Sequence, residues 1–233
     1  HTAYRRQRQM CIRDRIMNSK GKGIITAVIV VLIALAAFCG FGYISQRMTA
    51  SEGITYLDKK EYQKAYEQFD HAAGKFTFIF TKQKKDVLFY EGEALYQMGE
   101  YGKAIEIYDE LIDHGESRAY SLKAYCLAQQ KKLNKAIDVC DQGIKEHPDD
   151  GEIYCTKYAV LAKQEKYTQG LKVIERALKQ KELENKKEVL FARISAYESM
   201  FDFDTAYRYA KAYVKAYPKD ANGKKELTFL ETR

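Results

Sequence analysis

Apolar side chains recur along this chain with the spacing of a helix. The segment EYGKAIEIYDELI, residues 100–112, places them three and four positions apart, as in a helix with one buried stripe. Related segments follow the same pattern, and successive copies lie 39, 32, 34 and 36 residues apart, with their first large apolar residue at Tyr62, Tyr101, Leu133, Tyr167 and Phe203. A period of about 34 residues is typical of helix-turn-helix arrays. The pattern predicts an all-α solenoid of five hairpins.

Each copy is predicted to form a helix A, a tight turn and a helix B. Gly99 supplies a left-handed helix stop, and Pro148 and Pro218 follow B helices, where they interrupt no helix. The predicted A helices cover residues 86–98, 119–130, 152–164 and 188–200, and the B helices 62–73, 133–146, 167–179 and 203–216. The array, residues 46–220, divides near 46–84, 85–116, 117–150, 151–186 and 187–220, and residues 221–233 form a C-terminal cap built on Leu227, Phe229 and Leu230.

An uncharged stretch of 21 residues begins at Ile24 and ends at Ile44. At about 1.5 Å per residue it is long enough to cross a bilayer core. It predicts a retained single-pass anchor over residues 17–45, with a short connector near residues 46–50. A cleaved signal peptide and a lipoprotein signal ending at Cys39 are the alternatives, although Phe38 is bulky for either. The lysines and arginine flanking the stretch are nearly balanced, and we favour a cytoplasmic N-terminus with the array outside the cytoplasm.

Residues 1–16 stand apart from this organisation. Met10 begins MCIRDR, which resembles a translated sequencing-adapter end, so we expect residues 1–16 to be non-native; a natural basic tail is the alternative. They carry five arginines and one aspartate, and removing them lowers the net charge from +7 to +3. A nucleic-acid-binding protein would need a concentrated basic surface. We therefore expect no nucleic-acid partner.

The sequence offers no catalytic grouping. His71, His114 and His147 fall near the ends of B helices, where a histidine complements the helix dipole. Neither a phosphate-binding glycine loop nor a nucleophile elbow is present. Cys126, Cys140 and Cys155 are predicted to be small buried side chains, and most tyrosines to be core residues with solvated hydroxyls. We expect a non-catalytic protein without a cofactor or metal.

The array resembles tetratricopeptide repeats, in which a small residue on helix A faces a large residue and an alanine on helix B. Gly92 and Ala124 follow that pattern on helix A. The family's tryptophan is absent here; Leu88, Tyr120, Tyr154 and Leu190 take its place, and Thr49 does so in the first copy. The resemblance implies closest crossing of helices A and B at Ala65, Ala104, Ala136, Gly170 and Ala206.

The resemblance also implies a concave groove, lined by A helices, that binds an extended or helical segment of a protein partner. The asparagines with which some members clamp a terminal carboxylate are missing, so such a tail is not the predicted ligand. The implied groove residues are Asp86, Phe89, Glu93, Tyr96, Arg118, Ser121, Tyr125, Gln129, Glu152, Cys155, Ala159, Lys163, Glu188, Phe191, Ser195 and Glu198.

The leading functional hypothesis is a membrane-anchored bacterial scaffold for protein–protein interactions. The alternative is an exported, lipoprotein-like component that binds a solute or cell-wall fragment and uses the repeats as a scaffold; a rigid spacer is a third possibility. One irregularity bears on partners: residues 75–85, KFTFIFTKQKK, lengthen the first step of the array. They predict either a lengthened helix or loop packed on the first repeat, or a loop that docks a partner or a membrane surface.

Overall fold

The chain folds into helices stacked as hairpins. The computed structural model describes the backbone of residues 2–74 and 82–233 and side chains from residue 25 onward. Regular structure in these ranges is helical apart from one bridge between Asp150 and Glu184, which confirms the predicted fold class. The aromatic segment 75–81 lies outside the described residues. The helices are α1 (Thr2–Asp58), α2 (Tyr62–Ala73), α3 (Lys82–Gln97), α4 (Tyr101–Asp113), α5 (Arg118–Gln129), α6 (Leu133–Glu146), α7 (Gly151–Lys163), α8 (Tyr167–Ala177), α9 (Lys186–Ser199), α10 (Phe203–Ala216) and α11 (Ala221–Leu230).

The apolar stretch and the first helix A belong to one continuous helix. α1 runs for 57 residues without interruption, so the predicted connector near residues 46–50 is wrong. Gln46 explains the error, because its side chain is fully buried and its Nε2 donates to the carbonyl of Ala72 in α2, 3.0 Å away. The Thr49 hydroxyl donates to the Ser45 carbonyl within the helix. The polar residue Gln46, which suggested a linker, therefore lies in a helix–helix interface.

Every hairpin turns in the same way. The residue two positions before each helix B has a left-handed backbone, with φ of +79° at Gly99 and 59° to 61° at the non-glycine residues Lys60, Lys131, Glu165 and Phe201. The next amide then donates to the carbonyl five residues earlier at 2.9 to 3.0 Å, the bond that closes a Schellman turn. The helix stop predicted at Gly99 is confirmed, and it recurs where the sequence has no glycine.

Helices A and B of each repeat cross at small residues. The five predicted crossing positions are all buried, which confirms the pattern. In the first two repeats the contact continues with a glycine on helix A: a Cβ at Gly53 would lie 2.6 Å from the Phe69 ring, and one at Gly92 would lie 2.6 Å from the Tyr108 ring. The large partner therefore comes from helix B in these repeats.

The fourth repeat reverses this arrangement. The large side chain there is Tyr158 on helix A, and a Cβ at Gly170 on helix B would lie 2.7 Å from its ring. The fifth repeat likewise places buried Ile194 on helix A in one core cluster with buried Ala210 on helix B. The combined volume of the two side chains at the crossing stays similar from repeat to repeat, while the helix that supplies the larger one changes. Close packing requires only the first.

The helix α11 packs on the last repeat. Leu230 is 4% exposed, and Leu227 packs against the core formed with α9 and α10. Phe229 instead stays 43% exposed beneath the Arg233 guanidinium, 4.5 Å from its ring centroid. The helix begins at Asp220, whose carboxylate accepts from the Gly223 amide at 2.7 Å. This capping bond, together with the apolar contacts, closes the exposed end of the solenoid.

Candidate functional site

A cavity opens on the face of the array formed by the A helices. α5 packs against α7 and α7 against α9, whereas α3 and α5 stand apart. The space between them is a cavity of about 590 Å³. Its lining is aromatic and charged, with the floor supplied by α4, and consists of Asp86, Phe89, Tyr90, Glu93, Tyr96, Gln97, Tyr108, Arg118, Leu122 and Tyr125.

Aromatic rings form most of the apolar wall. Phe89 lies beneath the Arg118 guanidinium, whose carbon is 5.5 Å from the ring centroid, a distance at which a cation is attracted to the ring. Tyr96 packs edge-on against Tyr101 of α4, and its hydroxyl accepts a bond of 2.8 Å from Gln129 Nε2 of α5. The two walls of the cavity are thus joined at one end by a side-chain hydrogen bond.

Tyr108 forms the floor of the cavity. The side chain is 1% exposed, and its ring lies against Gly92. A residue with a Cβ at position 92 would collide with that ring. Burial raises the pKa of its hydroxyl, which therefore stays protonated. Within residues 82–233 this hydroxyl makes no hydrogen bond. A hydroxyl that opens on the cavity without a protein partner is a group that a ligand or water can satisfy.

Carboxylates continue along the same face beyond the cavity. Burial raises the pKa of Glu152 on α7, while the charge of Arg118 opposes that rise. Farther along, burial raises the pKa of Glu198 on α9 to about 8, helped by a hydrogen bond with Glu226 of α11. Glu198 is therefore largely protonated at neutral pH, because two adjacent carboxyl groups resist a second negative charge.

Two family models match this chain. Residues 50–119 match the tetratricopeptide repeat model, and residues 98–177 match the model of anaphase-promoting complex, cyclosome, subunit 3. Together the matches span residues 50–177, which hold the first four of the five hairpins that share the left-handed turn. The chain carries an all-α array of tetratricopeptide-like repeats. No protein among the curated sequences matches it.

Solved structures, two of them described as tetratricopeptide repeat proteins, share the fold at low sequence identity. A thermophilic protein of Thermus thermophilus superposes with a TM-score of 0.60 at 16% identity, over 81% of this chain and 100% of that one. A protein of Parabacteroides merdae gives 0.54 at 14% identity, over 80% and 72%. Pseudomonas aeruginosa pilF gives 0.52 at 17% identity, over 81% and 82%. Identities this low establish the fold alone.

The tetratricopeptide array brings about half of the predicted groove residues together. Asp86, Phe89, Glu93, Tyr96, Arg118 and Tyr125 line the cavity, and Gln129 reaches it through its bond to Tyr96. Ser121 is fully buried between helices with its hydroxyl unpaired, so it presents no surface to a ligand.

The remaining predicted residues lie outside the cavity. Lys163 is exposed at the end of α7. Phe191 packs edge-on against Tyr213, with 5.6 Å between ring centroids, and so belongs to the last core cluster. Glu152 and Glu198 lie on the α7 and α9 part of the array. The predicted groove residues thus divide into a set that lines the cavity at α3 and α5 and a set on α7 and α9 that lies outside it.

Four cavity residues were not predicted. Tyr90 and Gln97 follow predicted positions on α3 by one residue, and they reach the cavity because the gap between α3 and α5 exposes a wider stripe of α3. Leu122 does the same on α5. Tyr108 is a helix B residue, which repeat geometry assigns to the core. The pairing of Gly92 on helix A with a tyrosine on helix B was the feature of the sequence that could have predicted Tyr108 as a cavity residue.

Two other chemical features can be placed. Among the side chains described, no three histidine, cysteine or acidic residues cluster as a metal site. Cys126 and Cys140 are buried, as predicted, whereas Cys155 is only half-buried; burial raises the pKa of the Cys126 and Cys140 thiols to about 12. Thiols held protonated in this way are inert at neutral pH.

Proposed function

We propose that this chain is a membrane-tethered scaffold that binds a segment of another protein on the A-helix face, without catalysing a reaction on it. Tetratricopeptide repeat domains bind protein partners. The observation that carries the proposal is the cavity between α3 and α5, because its aromatic and charged side chains are presented outward rather than consumed by packing. Exposed aromatic residues with flanking polar groups are typical of protein-binding surfaces.

Membrane tethering is supported by α1. Its most apolar 18-residue window, within Ile25–Asp58, has a mean hydropathy of 2.6 and none of it is buried against the array. A cleaved signal sequence has the same composition, so the mature protein must be measured. We expect carbonate-resistant membrane association and an intact mass that includes residues 24–44. A shorter mass would identify a cleaved signal, and added lipid mass at Cys39 would identify a lipoprotein.

The proposed orientation places the array outside the cytoplasm. Protease added to spheroplasts should then remove the array while a cytoplasmic marker protein stays intact. If the array resists the protease until detergent dissolves the membrane, the array lies in the cytoplasm instead. The result also fixes which compartment contains the partner.

The groove is tested by comparing partners in the native cell. Tyr96→Ala combined with Tyr125→Ala removes two cavity walls, and Glu106→Ala combined with Lys172→Ala is a matched change at exposed B-helix positions. After crosslinking and mass spectrometry, the first variant should lose proteins that the wild type and the second variant retain. Identical sets from all three, at equal membrane levels, would refute the groove.

The cavity volume favours a second candidate, an exported solute- or cell-wall-binding component. About 590 Å³ lies within the range of small-molecule pockets. A thermal-shift screen of the full chain against cell-wall fragments tests it. A rise in melting temperature that disappears in Tyr96→Ala would favour this candidate over the scaffold.

A further inference from the structure

The cavity between α3 and α5 carries unpaired negative charge. Asp86 and Glu93 line it and are both exposed, and neither makes a hydrogen bond or ion pair with any other described residue. Among the described residues that line the cavity, Arg118 is the only basic one. Its guanidinium lies over the Phe89 ring and also acts on Glu152 of α7. Asp86 also borders an adjoining cavity together with Arg47 and Lys82, but neither carboxylate forms an ion pair with a described basic side chain.

The neutral part of the lining also suits a cation. Tyr90, Tyr96 and Tyr125 supply aromatic surface, and the negative faces of such rings attract ammonium and guanidinium groups. The Tyr108 hydroxyl at the floor has an unused oxygen that can accept a hydrogen bond from a charged donor. Carboxylates, ring faces and a hydroxyl acceptor thus converge on one space.

The same sign of charge continues along the A-helix face. Asp150, Glu152 and Glu188 all act electrostatically on Cys155, whereas Glu198 beyond them is largely protonated and adds little charge. The chain as a whole carries a net charge of +7, so its average charge does not explain an acidic face. A segregated acidic surface favours a basic partner, because complementary potentials increase the encounter rate and select against acidic segments.

We propose that this cavity is a subsite for a cationic side chain, lysine or arginine, of the bound protein segment. The cation lies between the Asp86 and Glu93 carboxylates and against the tyrosine rings, with the Tyr108 hydroxyl as acceptor. The segment continues along α7 and α9, where further basic residues face the glutamates. This subsite rests on the proposed function and specifies the chemistry of its partner.

Peptide binding to the full chain in nanodiscs of zwitterionic lipid tests the subsite. The probes are fluorescein-labelled leucine–serine peptides of one length that carry three lysines, three norleucines or three glutamates, and empty nanodiscs serve as the blank. We expect the lysine peptide to bind about tenfold or more tightly than either other peptide, since a desolvated cation–π contact and a carboxylate pair contribute together. Raising the salt concentration should reduce the difference.

Charge-neutral variants locate the binding. Glu93→Gln and Asp86→Asn should each weaken binding of the lysine peptide roughly threefold to tenfold. Glu106→Gln, which removes one exposed charge from α4, should change the dissociation constant less than about twofold. Tyr108→Phe should weaken that binding without lowering the melting temperature.

Three results would overturn the subsite: equal binding of the lysine and norleucine peptides, no binding of any peptide, or equal losses in Glu93→Gln and Glu106→Gln. Tighter binding of the glutamate peptide would show that Arg118 dominates recognition in the cavity, and it would overturn the cationic subsite as well. If the lysine preference is absent while the tyrosine double variant still loses its cellular partners, the subsite fails and the proposed function stands.

Discussion

Single glycines set how closely the helices of this protein approach. Gly92 lies on α3 against the Tyr108 ring, whereas Gly102 on α4 has no atom within 4 Å of the position its Cβ would take. Two glycine-to-alanine changes in neighbouring helices therefore have opposite expected effects. The difference comes from packing alone, because alanine has a higher helix propensity than glycine at both positions.

Gly92→Ala should destabilise the array by about 1–3 kcal/mol, because the new methyl group must displace a buried ring. Gly102→Ala should be neutral or stabilising by up to about 1 kcal/mol. Thermal unfolding followed by circular dichroism compares the two variants with the wild type. Equal melting temperatures for both would show that α3 and α4 do not cross at Gly92.

Glu91 gives the array a dependence on pH. The side chain is 4% exposed, and its Oε2 has no hydrogen-bond partner among the described residues. Burial raises the pKa of this carboxyl to about 7, the charges of Asp70 and Glu110 add to the rise, and Lys84 opposes it. The folded chain thus retains a proton that the unfolded chain releases near pH 4–5.

Stability should therefore fall as the pH rises from about 5 to 7 and then level off, because unfolding releases a proton in that window. The loss attributable to Glu91 is roughly 2–3 kcal/mol. Glu91→Gln should remove most of it, so that its melting temperature changes less between pH 5 and pH 8 than that of the wild type. Glu106→Gln, an exposed control, should behave as the wild type does. If the melting temperature of Glu91→Gln depends on pH as that of the wild type does, a group other than Glu91 is responsible for the pH dependence.

Residue-level predictions from the sequence succeeded where spacing decides the outcome. The crossing positions follow from the repeat period, and all are buried. The exchange of large and small residues at Tyr158 and Gly170 could not be read from the same pattern, because either helix can supply the volume. The burial of Glu91 and Ser121 was equally hidden, since the composition of a repeat does not show how far neighbouring hairpins rotate.

At the scale of elements, the turns are more uniform than the sequence suggests. Only one of the five hairpin turns has glycine at its left-handed position, and the others hold lysine, glutamate or phenylalanine there. A non-glycine residue costs about 1 kcal/mol in that conformation. The Schellman bond and the packing of both flanking helices hold the backbone in place.

Lys131→Gly should therefore stabilise the third hairpin by up to about 1 kcal/mol, with part of the gain offset by the greater freedom of glycine in the unfolded chain. Gly99→Ala should destabilise the second hairpin by a similar amount. Hydrogen exchange of the flanking helices reports each hairpin separately, as repeat arrays open locally. Faster exchange around Lys131→Gly would mean that its turn is not left-handed in solution.

Helix ends were predictable and helix continuity was not. The observed bounds of α2, α6 and α10 match the predicted ones, because apolar spacing and the following prolines or turns define them. The continuity of α1 escaped prediction because Gln46 has the polarity of a linker residue, yet it is used to bind the backbone of α2. A polar residue can satisfy its hydrogen bonds inside a helix–helix interface, and the sequence alone does not show that partner.

At the scale of the whole molecule, continuity of α1 joins the apolar stretch directly to the array. Fourteen residues separate Ile44 from Asp58 within one helix, a rise of about 21 Å. An array tethered through α1, as we propose, would have a fixed direction relative to the membrane, because a continuous helix rather than a flexible linker joins the two. The cavity would then face one constant direction for every copy of the protein.

Cysteine labelling tests this placement. In nanodiscs a water-soluble maleimide should leave Cys39 unmodified and should modify Met48→Cys, because Met48 is 69% exposed and lies beyond the apolar stretch. Mass spectrometry assigns the modified sites and separates them from Cys126 and Cys140. Modification of Cys39 as fast as Met48→Cys would show that α1 does not enter the bilayer.

The central claim is that the A-helix face, and the α3–α5 cavity in particular, holds the partner. Photocrosslinking in the native cell measures this directly, with a photoreactive residue placed in turn at Glu93 or Tyr125 on that face and at Glu106 or Lys172 on the B helices. Crosslinks to one common protein from the first two positions and none from the second two are the predicted result. The same crosslinks from the B-helix positions, or none from Glu93 and Tyr125, would contradict the claim.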